Sequence, residues 1–315
     1  MKPAKSRIFV APMMDWSDRH YRFFMRQISS RARLYTEMIT TGALIHGDVE
    51  RHLAFSPEEH PVALQLGGSE PDELARCAKL GEQYGYDEIN LNIGCPSERV
   101  QRGAFGACLM AEPRLVASCV RRIRDTVKTP VTVKHRIGID GVEDYAFVRD
   151  FVGTVSAAGA STFIVHARNA ILKGLSPKEN REIPPLKYDY VYRLKRDFPQ
   201  LEVVLNGGIV SQDQIEAELK KVDGVMLGRA AYHDPWLLAD PGKTRAQVVR
   251  AMVAYARKHL PLKQVARHML GLYHGEPRAR LWRRMLSDAG DLRANRAELL
   301  LEALEEMEGR SIIAA

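Results

Sequence analysis

Two amides and a thiol lie together in the stretch 90–97, and they are the residues of this chain best suited to chemistry. Asn90 and Asn92 alternate with apolar residues as they would on a strand, and Gly94 breaks that strand just before Cys95. Amide groups can hydrogen-bond the edge of a polar ring. A cysteine thiol is mostly protonated at neutral pH and can act as a general acid. The stretch therefore indicates a site that binds a polar ring and transfers a proton to it.

The other cysteines carry no comparable signal. Cys77 and Cys119 lie in segments with helical spacing, and Cys108 is grouped with them, so all three are interpreted as small buried apolar residues. The four cysteines form no CxxC pair and no metal-ligand spacing. This usage predicts free thiols in a reducing cytoplasm and no metal site.

Eight short apolar runs before residue 235 predict the strands that must position these groups. The runs cover residues 8–12, 34–39, 62–66, 88–93, 131–136, 162–166, 203–205 and 224–227. Segments with helical spacing lie between them, for example 71–85, 115–127, 143–158 and 212–220. Repeated strand–helix alternation predicts parallel strands that close as a (β/α)8 TIM barrel. A doubly wound open sheet is the competing fold, but the residues after the first run, 11–14, lack its Gly-rich turn.

A barrel would gather functional groups at the carboxyl ends of its strands. Polar, sulfur-containing or glycine residues occur at every one of these ends. In strand order they are Pro12, Met13 and Met14; Thr36 and Glu37; Gln65; Asn90, Asn92 and Cys95; Lys134 and Arg136; His166 and Arg168; Asn206, Gly207 and Gly208; and Gly228 and Arg229. Packing alone does not explain such a signal at every strand end.

The last two strand ends have the composition of a phosphate site. Glycines at Gly207, Gly208 and Gly228 would let backbone N–H groups approach a phosphate, and Arg229 would add positive charge. The plainer alternative is that these glycines only end their strands. Paired signals on consecutive loops favour a phosphate-bearing cofactor.

The remaining strand ends suit a flavin ring. Gln65 could bond the pyrimidine edge of the flavin, and Lys134 could stabilise negative charge on that edge in the reduced state. His166 could hold either the phosphate or the ring. The alternative for Lys134 is an ordinary surface lysine at a strand end. An apolar, polarisable platform for the ring face would come from Pro12, Met13 and Met14.

Strand signals stop near residue 240, and helical patterns follow over 246–259, 262–272, 278–287 and 293–308. We therefore predict a barrel domain over 1–240 and a helical domain over 241–315. The net charge is +7, and residues 243–284 alone hold eleven Lys or Arg against one acid. Solvated helix faces are the plain interpretation. A surface for a polyphosphate backbone is the functional one, because neutralising phosphates releases counterions.

Two basic sets stand out as candidates for that surface. The connection 169–187 after the sixth strand is too long for a simple turn and carries Lys178 and Arg181. On the third C-terminal helix, Arg280 and Arg283 fall on nearly one face beside Trp282. A solvated loop and a solvated helix are the alternatives.

Taken together, these residues resemble the tRNA-dihydrouridine synthases over essentially the whole chain. The motifs that carry the resemblance are 11–13, 65–66, 90–97, 133–134, 166–168, 206–209 and 228–229. The stretches 35–38, 102–110, 175–181 and 267–272 are similar to the bacterial DusA type, which acts at positions 20 and 20a of the tRNA D-loop. One departure is His135, where a smaller residue is expected.

The resemblance implies FMN-dependent reduction of uridine in tRNA, with NADPH as reductant. Hydride would pass from flavin N5 to C6 of a flipped-out uridine, and Cys95 would protonate C5. The implied FMN contacts are Pro12, Met13, Met14, Gln65, Lys134, His166, Asn206, Gly207, Gly208, Gly228 and Arg229. The implied tRNA contacts are Asn92, Lys178, Arg181, Arg280 and Arg283. A cytoplasmic monomer is expected.

Two other functions remain open from the residues. An FMN oxidoreductase of a small pyrimidine or enone would share the barrel and the flavin groups, but it would leave the basic stretch unexplained. A tRNA-binding module without activity would keep the basic stretch and lack the flavin. No apolar run reaches the roughly 18 residues that a membrane span needs, and residues 1–6 lack the features of a signal peptide, so no membrane association is expected.

Overall fold

The computed structural model describes residues 7–142 and 144–309. The first residue of the helix predicted over 143–158 lies outside this range. The chain divides into two compact units: the first joins the residues up to Met14 with Arg33–Gly228, and the second joins Asp15–Ala32 with the residues from Arg229 onward. The sequence prediction placed 15–32 and 229–240 with the barrel domain, whereas here they belong to the second unit.

The first unit is an eight-stranded parallel sheet that wraps into a barrel. Its strands are β1 (Ile8–Val10), β2 (Leu34–Thr40), β3 (Val62–Gly67), β4 (Glu88–Ile93), β5 (Val131–Arg136), β6 (Thr162–His166), β7 (Glu202–Asn206) and β8 (Gly224–Leu227). Each strand pairs with the next along the chain from β2 to β8, and β8 pairs with β1. Between β1 and the start of β2, Val10 N donates to Arg33 O and Arg33 N donates to Ile8 O, each at 2.9 Å. The predicted TIM barrel is confirmed.

Fifteen α-helices occur within the described residues. They are α1 (Arg19–Ile28), α2 (Thr41–His46), α3 (Val49–Leu53), α4 (Pro71–Tyr84), α5 (Glu98–Arg102), α6 (Pro113–Arg124), α7 (Tyr145–Ala157), α8 (Tyr188–Asp197), α9 (Gln212–Glu218), α10 (Arg229–His233), α11 (Arg245–Ala256), α12 (Leu262–Met269), α13 (Ala279–Met285), α14 (Ala289–Arg293) and α15 (Leu299–Glu308). Short 3₁₀ helices cover Pro57–Glu59, Gly106–Ala111, Glu179–Arg181 and Pro235–Leu238.

Local chemistry sets several of these helix ends. Pro71 and Pro113 start α4 and α6, where a missing N–H costs nothing. Gly85 ends α4 at a left-handed φ of 88°. The prediction of one continuous helix over 293–308 is wrong. Asn295 takes a left-handed φ of 56° between the end of α14 and the start of α15. The side chain of Asn295 accepts a hydrogen bond from Leu262 N at 2.7 Å, which fixes this break.

Every second residue of a strand points into the barrel, so the interior can be followed in layers along the strands. An apolar layer is formed by Phe9, Ala11, Tyr35, Ala63, Ile164, Val204 and Met226. Two residues beyond Ala63, Ile164 and Val204, the same faces of β3, β6 and β7 carry Gln65, His166 and Asn206. On these three strands the apolar core therefore fills the amino-terminal part of the barrel, and polar residues follow at the carboxyl ends.

The second unit is helical and is built from α1 and α10 to α15. Asp18 links two of these helices: its Oδ1 accepts from Tyr21 N at the start of α1, and its Oδ2 pairs with Arg267 on α12. Although burial opposes the charge, hydrogen bonds from His268 and Arg267 hold the pKa of Asp18 well below its ordinary value. These contacts explain why 15–32 belongs with the C-terminal helices. No helix within 7–142 and 144–309 is both long and apolar enough to span a bilayer.

Candidate active site

The polar layer at the barrel mouth begins with three hydrogen-bonded amides. Asn92 Nδ2 donates to Gln65 Oε1 at 2.9 Å, and Gln65 Nε2 donates to Asn90 Oδ1 at 2.8 Å. Register places Asn92 beside Lys134 on β5. The register also places His166 on β6 between Arg136 on β5 and Asn206 on β7. The structure thus brings together the strand-end residues that the sequence predicted on β3 to β7.

Cys95 lies in a turn whose backbone is fixed from several sides. Asn92 Oδ1 accepts from Gly94 N at 3.1 Å and from Cys95 N at 3.0 Å. Arg136 Nε donates to Gly94 O at 3.0 Å, and Ala107 N donates to Cys95 O at 2.9 Å. The thiol is partly buried and donates to Ser97 Oγ at 3.5 Å. A proton donor is therefore held in one place directly after β4.

Several cationic side chains lie near one another at the mouth: Lys134, Arg136, Arg168 and Arg181. Burial and the neighbouring Arg136 lower the pKa of Lys134 to about 8. Burial, Arg136, Lys134, Arg168 and Arg181 lower the pKa of His166 well below its ordinary value, so its imidazole is neutral at neutral pH. Such a cluster of cations suits an anionic ligand.

Two polar groups at the mouth, one charged and one neutral, are available to a ligand. Among the residues that the structure describes, neither Lys134 Nζ nor the His166 ring makes a hydrogen bond. An ammonium that is partly removed from water and has no hydrogen-bond partner is unfavourable until an acceptor meets it. The donor set of Lys134, His166 and the second N–H of Gln65 fits the polar edge and the phosphate of a flavin nucleotide.

Gly207 and Gly208 form a close backbone approach after β7. Their φ angles are 113° and 74°, which side chains rarely adopt. A Cβ at Gly207 would lie 2.8 Å from His166 Cδ2, and one at Gly208 would lie 2.5 Å from Leu186 Cδ1. Both positions therefore require glycine, as a phosphate cradle does. At Gly228 a Cβ would make only ordinary contacts of 3.8 Å or more, so close packing does not explain that glycine.

The residues after β1 and β8 complete the predicted cofactor set. Pro12 and Met13 are partly exposed, and the side chain of Met14 is 53% exposed. Arg229 is the first residue of α10 and belongs to the second unit. Their role toward a cofactor stays a prediction.

The loop after β6 places Lys178 and Arg181 on its exposed surface, around a 3₁₀ turn. Between them the buried Asn180 holds the loop in shape: its side chain accepts from Ile171 N at 2.8 Å and donates to Ile171 O at 2.9 Å. Asn180 O in turn accepts from Arg136 Nη1 at 2.9 Å. Arg136 on β5 therefore hydrogen-bonds both this basic loop and the Cys95 turn.

In the second unit, Arg280 and Arg283 lie on α13 with exposed side chains. Trp282 between them is fully buried and donates Nε1 to Met269 O at 2.8 Å. The tryptophan is thus part of the helical core, and the two arginines lie on the exposed side of this helix together with Arg284.

Three residues that hold the site were not singled out as functional from the sequence. Arg136 was noted only as a strand-end cation. Gln101 Nε2 donates to Pro96 O and to Leu172 O, each at 2.8 Å, and so joins the Cys95 turn to the loop after β6. Gly106, at a φ of 77°, would place a Cβ 2.6 Å from Cys95 O. In the sequence, the glycine at position 106 was a signal that could have been noticed. No local feature of the sequence distinguishes Gln101.

His135, the one residue noted as a departure, faces away from the site. It follows Lys134 on β5, so its side chain points to the helix side, where it is fully buried against Phe151 and Phe163. Burial lowers its pKa to about 4. The extra volume of the imidazole is accommodated outside the barrel and leaves the mouth unaffected.

Comparison with known proteins identifies the family. The model of the family described as dihydrouridine synthase (Dus) matches residues 9–308. The chain belongs to the dihydrouridine synthase family. It is 54% identical to the tRNA-dihydrouridine(20/20a) synthase of Pseudomonas putida, with 98% of this chain and 96% of that protein covered. Proteins of the same name from Escherichia coli K12 and Synechocystis are 57% and 52% identical, over 90% and 97% of this chain and 86% and 96% of theirs.

A solved structure shares the fold of this family member. The complex of a 2-naphthoyl-CoA reductase with 2-naphthoyl-CoA aligns with a TM-score of 0.56 at 11% identity. The alignment covers 74% of this chain and 49% of that one, so the chain spans about half the length of the reductase. At this identity the likeness concerns the fold alone.

Proposed function

We propose that this protein catalyses the NADPH-driven, FMN-dependent reduction of the uridine C5–C6 double bond to 5,6-dihydrouridine at positions 20 and 20a of the tRNA D-loop. The observation that carries the proposal is the Cys95 thiol, which a fixed turn holds at the mouth of the barrel near Lys134 and Arg136 in a member of the dihydrouridine synthase family. The names of the relatives support the substrate and the two positions.

The residues of the barrel mouth would hold the cofactor. When bound and reduced by NADPH, FMN would supply the hydride that uracil C6 accepts. Lys134 and Gln65 would bind the pyrimidine edge of the ring, where negative charge would develop on reduction. The rest of the predicted set would bind the ribityl phosphate and the ring face. These residues are His166, Gly207, Pro12, Met13, Met14, Asn206, Gly208, Gly228 and Arg229.

Cys95 is the proton donor of the proposed reaction. Hydride addition at C6 of the uracil leaves negative charge on the C5 side of the ring, and the Cys95 thiol donates its proton to C5. The thiolate that forms lies near Lys134 and Arg136, whose positive charges stabilise it. A uridine inside folded tRNA must leave its stack to reach this thiol at the mouth of the barrel.

The tRNA itself is bound through shape and phosphate contacts. Lys178 and Arg181 on the loop after β6, and Arg280 and Arg283 on α13, are exposed cations for this purpose. Asn92 is assigned to the extruded nucleotide, with one N–H of its amide left after its bond to Gln65. A tRNA-modifying enzyme of this kind works in the cytoplasm, and we propose that it acts as a monomer.

The test measures dihydrouridine in tRNA after incubation with NADPH and the purified protein. Cys95→Ala is expected to keep its flavin and its reduction by NADPH but to lose dihydrouridine formation by at least about a hundredfold, the usual worth of a positioned general acid. Cys108→Ala is the matched control, since it removes a second partly buried thiol. Normal product formation by Cys95→Ala would overturn the proton-donor role.

The same assay separates the other two functions. A reduced enzyme that free uracil or an enone reoxidises, while tRNA does not, would indicate a small-molecule oxidoreductase. A protein that binds tRNA but holds no flavin and does not oxidise NADPH would indicate a binding module.

A further inference from the structure

A carboxylate at the amino end of β4 begins a chain of hydrogen bonds inside the barrel. Glu88 is 3% exposed, and its Oε2 lies 2.8 Å from Arg33 Nη1. Its Oε1 accepts from Tyr35 OH at 2.7 Å and from Thr132 Oγ1 at 2.5 Å. An ionised carboxylate only accepts hydrogen bonds, so every neighbour must point a proton at it.

This requirement fixes the direction of the next bonds. A hydroxyl has one proton, and Thr132 gives its proton to Glu88, so Thr132 Oγ1 must accept from its other neighbour. Asn90 Nδ2 is that donor, at 2.7 Å. The Asn90 amide oxygen then faces the mouth and accepts from Gln65 Nε2 at 2.8 Å. The orientation of each amide is therefore set by the preceding group in the chain that starts at Glu88.

The chain ends at the turn that carries the thiol. Gln65 Oε1 accepts from Asn92 Nδ2, and Asn92 Oδ1 accepts from the backbone N–H groups of Gly94 and Cys95. Had the amides the opposite orientation, the NH₂ group of Asn92 would face these two N–H groups and repel them. The carboxylate thus decides, through Thr132 and three amides, that an acceptor faces the Cys95 turn.

We propose that Glu88 is a positioning residue, which through this relay holds the Cys95 turn and the Gln65 amide in the orientation that the reaction uses. Its catalytic consequence rests on the proposed function, whereas the relay does not. A neutral glutamine at position 88 cannot replace the carboxylate. If its NH₂ group faces Arg33, two donors meet; if it faces Thr132, the relay reverses.

The first test is amide hydrogen exchange at Gly94 and Cys95 in the purified full-length protein. Glu88→Gln is expected to raise the exchange rate of these two amides by about tenfold, the effect of losing one hydrogen bond of ordinary strength. Glu202→Gln is the matched control: Glu202 starts β7 as Glu88 starts β4, and it accepts from Thr162 Oγ1 at 2.8 Å. Unchanged exchange in a folded Glu88→Gln variant overturns the relay.

A second pair of variants keeps the test decisive if Glu88→Gln does not fold. Thr132→Val removes the hydroxyl with little change of shape and leaves Glu88 with Arg33 and Tyr35, while Thr132→Ser keeps the hydroxyl. Thr132→Val is expected to exchange the two amides faster and to slow reoxidation of the reduced enzyme by tRNA about tenfold. Thr132→Ser is expected to behave as the wild type.

These readouts separate the two proposals. Faster exchange in Thr132→Val together with a wild type that does not act on tRNA would retain the relay and refute the proposed function. Wild-type exchange and wild-type tRNA reoxidation in Thr132→Val would refute the positioning role of Glu88.

Discussion

We expect the ammonium of Lys134 to lower the stability of the flavin-free protein. It lies in the barrel mouth without a hydrogen bond to any described residue, and burial and Arg136 lower its pKa from 10.5 to about 8. Lys134→Met keeps an unbranched side chain and removes the charge. We expect the flavin-free variant to be more stable than the flavin-free wild type near neutral pH, and to bind reduced FMN more weakly.

The magnitude follows from the pKa. A lysine whose pKa falls from 10.5 to about 8 on folding destabilises the folded state by about 3 kcal/mol while it is charged. Near neutral pH the side chain is charged in both states, so the full cost is present. Above about pH 8 the folded lysine loses its proton first, and above about 10.5 both states are neutral. The advantage of the variant therefore shrinks to nothing across that window.

Urea unfolding of the flavin-free proteins near neutral pH and at about pH 10.5 measures this effect. Lys128→Met is the control, because the side chain of Lys128 is exposed and its removal should leave stability within about 0.5 kcal/mol. A Lys134→Met variant that is no more stable than the wild type near neutral pH would refute the reasoning. So would an advantage that persists unchanged at the higher pH, since it would then arise from packing and not from charge.

Two further predictions concern the turn and the basic loop. Gly106→Ala should destabilise the protein by about 1–3 kcal/mol and slow the tRNA-dependent step, because its Cβ would meet Cys95 O at 2.6 Å. Gly85→Ala is the control: Gly85 also has a positive φ, but a Cβ there would have nothing within 4 Å. This control should cost only the backbone strain and leave the tRNA-dependent step intact. Urea unfolding and single-turnover kinetics check both variants. Replacing Lys178 and Arg181 together by Ala should weaken tRNA binding and reduce its salt dependence, with flavin reduction by NADPH unchanged. If NADPH oxidation fell as much as tRNA binding, the assignment of these two residues to RNA would be contradicted.

The strand pattern and the polar strand ends were open to prediction because both depend on short-range periodicity. Alternation along a strand sends every second side chain into the barrel, so the strands predicted around Gln65, Asn90, Lys134 and His166 also determine which residues share the mouth. The same rule explains why His135 does not belong to the site. Family motifs added the chemistry that such positions could carry.

The contacts that hold the site depend on pairs far apart in the chain. Arg136 reaches Gly94, Asn169 and Asn180, and Glu88 meets Arg33, Tyr35 and Thr132. No local spacing predicts which of these partners will meet, because the register and closure of the barrel bring them together.

The sequence by itself determined the eight strands, the polar layer and the position of the thiol, since these depend on residue type and on the period of a strand. Only the tertiary structure decided that 15–32 belongs with the C-terminal helices, that Asn295 interrupts the last helix, and that a buried carboxylate orients the amides below Cys95. The physical reason is that an ion pair, a left-handed residue and the direction of a hydrogen bond are each selected by neighbours that only the folded chain supplies.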